Sequence, residues 1–363
     1  MGDLAHLQPL GLSPIADRMG DRDNFYDCIR ALAASLVFAV HYPGLLLGGS
    51  IGVSIFFCLS GFLITRILLR LPSLSIANIA KFIFRRFMRV WPMMAFQIFL
   101  TLALLAAFAP GDVAIYAAAL GRLLTFTGGP GKWVGGAPAI LWTLQAEFWF
   151  YVFYPFVLMV VGTKRTLWVA LAGICLSWYF KFGFGHGTPV LGPFAFSVTY
   201  LDQLMYGAIC ACLIENGSDT AKVIFRVRVA ALWLPLIGIL TLSTLAFKGY
   251  DWTWYAETSA AALLTAPMIL HQWARPLTGD YEPLATIGRA SYSIYLLHPL
   301  VLEYFFPHAF PAALEFFVRC GALIGFSLLT YRYIELPFIS LSKRVARMDG
   351  SIRAPRMVAS AAP

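Results

Sequence analysis

Residues 29–49 read IRALAASLVFAVHYPGLLLGG, an apolar stretch of membrane-spanning length that nevertheless holds Arg30 and His41. An ionisable side chain at that depth is costly and usually has a task. Eleven helical steps separate the two residues, just over three turns, so both point the same way about 16 Å apart along the axis. One helix face would then carry a guanidinium near the membrane surface and an imidazole near mid-bilayer. That arrangement suits a long anionic cofactor that enters from one side and delivers its reactive end to the centre.

The rest of the chain shares this character. Of 363 residues, 60% are apolar and only 12% charged, about half the charge of a soluble domain. Mean hydropathy is +0.74. The expected fold is an all-α integral membrane protein. Runs of about 20 mainly apolar residues mark ten transmembrane helices, at roughly 29–48, 51–70, 90–109, 141–162, 166–181, 199–214, 227–246, 257–272, 284–306 and 312–339. Residues 113–127, apolar apart from Arg122, read as a re-entrant or surface helix.

The net charge of +9 follows from topology rather than from a nucleic-acid partner. With both termini cytoplasmic, 21 of the 27 Lys and Arg fall on the cytoplasmic side and four on the other, with Arg319 and Arg332 inside the last span. Basic residues placed this way meet lipid headgroups. The expected organisation is a cytoplasmic segment over 1–28, a membrane domain over 29–340 and a disordered cytoplasmic tail over 341–363. Residues 1–28 lack the charged and apolar regions of a secretory signal. The six cysteines form no CxxC and read as small buried hydrophobes, with no metal site expected.

Four polar side chains from separate spans fall in one layer, in the middle to outer membrane: His41, Ser60, Glu147 and His298. A buried histidine also serves as a plain inter-helix hydrogen-bonding group, and for His298 that reading stands beside the functional one. Towards the cytoplasm, KFIFRRFMRVWP (81–92) gathers Arg85, Arg86 and Arg89 within about one turn. Arginine grips phosphate through paired donors, although basic residues beside a span are also expected from topology alone. Pro43 is expected to kink the first helix. Asp202 lies near the outer end of its span, where water would solvate it, and Arg332 and Glu335 are spaced to pair on one helix. The loop GGPGKWVGGAP (128–138) reads equally as a gate or a connector.

An ordered set of segments carries a resemblance: FYDCIRALAASLVFAVHY (25–42), GVSIFFCLSGFLIT (52–65), RRFMRVWP (85–92), LWTLQAEFWFY (141–151), IGRASYSIYLLHP (287–299) and YIELPF (333–338). Together they resemble acyltransferase family 3, membrane enzymes that O-acylate exopolysaccharide, lipopolysaccharide and other glycans. The W-T-L-x-x-E form is closest to the exopolysaccharide-acetylating branch. The resemblance implies transfer of an acyl group, usually acetyl, from cytoplasmic acyl-CoA to a glycan hydroxyl across a bacterial inner membrane. It implies His41 as the catalytic histidine and Glu147 as an acidic partner. It implies Arg85, Arg86 and Arg89 of the R-R-x-x-R motif as ligands of the CoA phosphates, and Arg30, which completes the R-x10-H pair, is expected to join them. Ser60, Trp142 and His298 are expected to support or bind substrate. Polysaccharide-assembly proteins are the expected partners.

Phe148 stands at the motif's second acidic position, Thr143 where serine is common and Ser54 where aspartate is frequent. No hydrolase-like domain is expected after the last span, and direct transfer to the acceptor, or to a partner, is expected. Histidine chemistry leaves two roles open for His41, general base or acyl carrier. A polytopic transporter is the competing reading. The lack of an inverted repeat, and the coupling of R-x10-H to an arginine cluster, weigh against it.

Overall fold

The structure is a computed structural model that describes residues 24–42, 51–127, 140–183, 197–216, 234–235, 237–239, 241, 252–274, 281–305 and 311–348. Among them there is no strand. Twelve principal helices run α1 (Asn24–His41), α2 (Ile51–Leu69), α3 (Ile76–Phe108), α4 (Val113–Leu124), α5 (Leu141–Val161), α6 (Thr166–Trp178), α7 (Leu201–Glu215), α8 (Trp252–Ala274), α9 (Glu282–Arg289), α10 (Ser291–Tyr304), α11 (Ala312–Thr330) and α12 (Leu336–Met348). Among the described residues, four helices are long and apolar enough to cross a membrane: α2, α3, α5 and the rod Ala313–Val345 that joins α11 to α12. The expected spans 29–48, 166–181, 199–214, 257–272 and 284–306 each contain a helix that does not meet both requirements. Most of 227–246 lies outside the described residues, as do Pro43 and the loop 128–138.

Helix α3 has 33 residues and is therefore about 50 Å long, well over the ~30 Å hydrocarbon core. Ser75 starts it by accepting a hydrogen bond from the Asn78 amide, and Pro92 does not end it. The arginine cluster and the apolar span thus belong to one rod. Within 113–127, Val113–Leu124 form the short α4, which packs along α3 and receives the Trp91 indole hydrogen bond at the Leu124 carbonyl.

The most extensive helix pair is α2 against α7. A Cβ added at Gly61 would lie 1.8 Å from the Leu204 carbonyl oxygen, and one at Gly207 would lie 1.9 Å from that of Cys58. Only glycine permits so close a main-chain approach, a device common between membrane helices. The two helices run in the same direction. Phe57 meets Tyr200 near their starts, and Arg66 and Arg70 reach Glu215 at their ends.

Two sequence expectations need correction. Asp202 is not solvated but fully buried. Lys181 donates to its Oδ1 at 2.7 Å and Oδ2 at 2.8 Å, Ser177 to Oδ1, and Ser259 and the Trp178 indole to Oδ2. Lys181 lies in the π-helical turn Tyr179–Gly183 that continues α6, one turn after Ser177 and Trp178 and on their face of the helix. The expected Arg332–Glu335 pair is likewise absent. A π-helical turn over Tyr331–Glu335 moves the two residues out of register, leaving Arg332 exposed and Glu335 buried on the Ser293 hydroxyl at 2.5 Å. None of the six cysteines is in a disulfide, but they divide: Cys58, Cys210 and Cys212 are buried, Cys28 and Cys320 half-buried and Cys175 exposed.

Candidate active site

A cavity of about 100 Å³ opens between α1, α2, α3, α5 and α10. Val53, Phe56, Phe57, Ser60, Leu63 and Ile64 of α2 line it, spaced by threes and fours along one helix face. The eleven helical steps from Val53 to Ile64 make the slot about 16 Å tall. Three guanidiniums, from Arg30, Arg86 and Arg89, share the lining with a single carboxylate, Glu147. The cavity therefore favours anions at its arginine end. Arg89 is exposed and marks the mouth, while Arg30 and Arg86 are half-buried.

Each arginine is positioned differently. Arg30 is clamped by Asp27 at 2.6 Å, an i,i+3 pair on α1. Asp27 is buried because α9 crosses α1 closely, and a Cβ at Gly288 would lie 1.7 Å from the Asp27 carbonyl oxygen. This crossing also breaks the expected span 284–306 into α9 and α10 at Ala290. Arg86 lies over the rings of Phe82 and Tyr151, with its guanidinium carbon 5.7 and 5.9 Å from their centroids. Among the described residues Arg86 and Arg89 form no ion pair. Arg85 is not on the lining, because one helical step turns it about 100° from Arg86.

Ser60 donates a short hydrogen bond to Glu147 across the slot, from α2 to α5. Tyr292 is fixed by its hydroxyl donating to the Val90 carbonyl at 2.7 Å, and Tyr295 by donating to that of Ile140 at 3.0 Å. Thr143 Oγ1 lies 2.8 Å from the Tyr295 hydroxyl. Trp142 is outside the lining and packs on Tyr200, with ring centroids 4.6 Å apart.

The histidines form a second constellation. His41 ends α1 and is exposed, while His298 is buried. Their ring centroids are 4.9 Å apart. His41 Nδ1 lies 2.8 Å from the Val37 carbonyl oxygen, and His298 Nδ1 lies 2.6 Å from that of Tyr295. Tyr295 separates the two constellations: it lines the slot, and its ring centroid is 5.8 Å from that of His298.

The four residues expected in one layer thus divide into Ser60 with Glu147 in the slot and His41 with His298 beyond Tyr295. Asp27, Tyr151, Tyr292 and Tyr295 escaped sequence reasoning. The Asp27–Arg30 spacing and the i,i+3 pair of tyrosines in SYSIY were the available signals. Among the described residues, no group of three or more His, Cys, Asp or Glu is placed to hold a metal ion.

The profile of an acyltransferase domain, family 3, matches residues 23–332. The chain belongs to this family. The matched region contains every residue of the slot and both histidines. Relatives in Staphylococcus aureus strains COL, MSSA476 and MRSA252 bear the name "Putative O-acetyltransferase". Each is 26% identical over 352 aligned positions, covering 86% of this family 3 chain and 56% of the relative. The chain therefore spans just over half the length of these curated relatives. No solved structure matches it.

Proposed function

We propose that this chain is an integral membrane O-acyltransferase. It moves an acyl group, acetyl in the simplest case, from cytoplasmic acyl-CoA to a hydroxyl of a glycan or glycoside at the outer side of the membrane. The observation that supports this reading most is the slot itself. Its cationic mouth at Arg89, Arg86 and Arg30 suits the phosphates of the donor. Its 16 Å length and apolar walls suit the pantetheine arm. Its far end meets Tyr295, beside the His41–His298 pair, where the thioester would arrive.

In this reading Arg30 and Arg86 are held ready, one by Asp27 and the other by aromatic faces, so little ordering is required when the donor binds. Glu147, hydrogen-bonded by Ser60, acts on the donor arm or on the arginines rather than on His41, which lies beyond Tyr295. The Nδ1 of His41 donates to the Val37 carbonyl, which leaves Nε2 available for the reaction. A bacterial inner-membrane location, lipid contacts and polysaccharide-assembly partners belong to the same proposal.

The test uses the full chain in lipid nanodiscs with acetyl-CoA, following free CoA with a thiol reagent. Wild-type protein should bind acetyl-CoA and release CoA, and His41→Ala should bind it with similar affinity while losing release. Release by His41→Ala close to the wild-type rate, or absence of binding by wild-type protein, would reject the assignment.

A further inference from the structure

Helix α10 contains a proline directly after its buried histidine. Pro299 has no amide hydrogen, so the Tyr295 carbonyl four residues earlier loses its helical donor. His298 Nδ1 lies 2.6 Å from that oxygen. A carbonyl only accepts, so Nδ1 carries the hydrogen, and the neutral ring keeps a bare lone pair at Nε2. This Nε2 is buried and has no hydrogen-bond partner among the described residues. Most buried polar atoms are partnered, and an exception asks for an explanation. The nearest chemistry is His41, 4.9 Å away between centroids, which is also held through Nδ1. Two imidazoles, each held through Nδ1 and so presenting Nε2, therefore stand side by side. One is exposed at the end of α1, and the other is closed off within the bundle.

We propose that His298 is the proton acceptor of the reaction, that His41 carries the acyl group, and that Pro299 is the positioning residue that fixes the tautomer of His298. This rests on the O-acyltransferase reading and divides its chemistry between two rings. His41 Nε2 attacks the carbonyl carbon of the acyl thioester. The C–S bond breaks and the thiolate leaves, so the acyl group sits on a positively charged imidazole. The acceptor hydroxyl gives its proton to His298 Nε2, and its oxygen attacks the acyl carbon. The C–N bond breaks and its electron pair returns to His41. His298 then passes its proton to the thiolate, so thioester and hydroxyl have become ester and thiol.

The full chain, labelled with ¹⁵N-histidine in nanodiscs, tests the tautomer first. The His298 signals, identified by their loss in His298→Asn, should show Nδ1 protonated and Nε2 bare. In Pro299→Ala the restored amide competes for the Tyr295 carbonyl. An Nε2-protonated form should appear, with turnover of acetyl-CoA by water lowered roughly tenfold. Protonated Nε2 in the wild-type protein, or an unchanged tautomer in Pro299→Ala, overturns the role of Pro299.

Acetyl-CoA carrying a ¹⁴C acetyl group tests the division of labour. Asparagine at 298 keeps an Nδ donor for Tyr295 but lacks Nε2. His298→Asn should therefore retain about one label per chain while steady-state CoA release falls roughly 10²-fold or more. His41→Asn should retain none. Wild-type rates in His298→Asn, or no label retained by it, overturn the proposal. Wild-type protein that neither binds nor cleaves acetyl-CoA overturns the O-acyltransferase reading instead, and the ¹⁵N result still decides the role of Pro299.

Discussion

Replacing Lys181 with methionine isolates the energetics of the buried Asp202 site. Both side chains are fully excluded from solvent. Lys181→Met removes two of the five hydrogen bonds to the carboxylate, leaving Ser177, Ser259 and Trp178 as donors. Breaking a buried ion pair from one side costs about 3–5 kcal/mol, because the remaining charge is uncompensated. Three surviving donors place this case at the lower end, about 3 kcal/mol, or some 10²-fold in the unfolding equilibrium. The double variant Lys181→Met/Asp202→Leu removes both charges and should lose about 1 kcal/mol or less, since apolar replacement of a whole buried pair is often neutral. Reversible unfolding in bicelles, followed by steric trapping, measures both. A loss below about 1 kcal/mol for the single variant, or a double variant no better than the single, would refute the argument.

Two further outcomes follow from the slot and from its wall. Arg86→Gln and Arg89→Gln should each raise KM for acetyl-CoA roughly 10–100-fold with kcat little changed, whereas Arg85→Gln, off the slot, should stay within about twofold; steady-state kinetics of CoA release separate them. Gly61→Leu should prevent recovery of folded protein, because its Cβ meets the Leu204 carbonyl at 1.8 Å, whereas Gly121→Ala, with nothing within 4 Å, should be neutral or stabilising by up to about 1 kcal/mol in thermal melts.

Much of this site was legible in the sequence because it depends on one helix at a time. The shared face of Arg30 and His41 and the continuation of the arginine cluster into α3 both follow from a 1.5 Å rise and a 100° step. What the sequence hid was pairing between helices. Ser60 and Glu147 are 87 residues apart, and His41 finds His298 on a distant helix. Nothing local distinguishes these partners from others at similar depth. A π-helical turn hid one more relation. A periodicity of 3.6 sets Arg332 beside Glu335, and one wide turn parts them. The family resemblance grouped Arg85 with Arg86 and Arg89, although a single helical step parts Arg85 from the slot.

The glycine contacts between α2 and α7 make the mechanical compliance of the slot uneven. Where main chain rests on main chain, no side chain stands between the helices to rotate and release space, so α2 is a stiff wall. The compliant part of the boundary is the ring of Phe56, which projects from α2 toward Tyr295, centroids 6.3 Å apart, and turns about χ1 without moving a helix, whereas Tyr295 is held at its hydroxyl by the Ile140 carbonyl. In the O-acyltransferase reading, room for a longer acyl chain would be gained by turning the Phe56 ring, not by spreading the bundle. Discrimination among donors by acyl length would then turn on one aromatic rotamer.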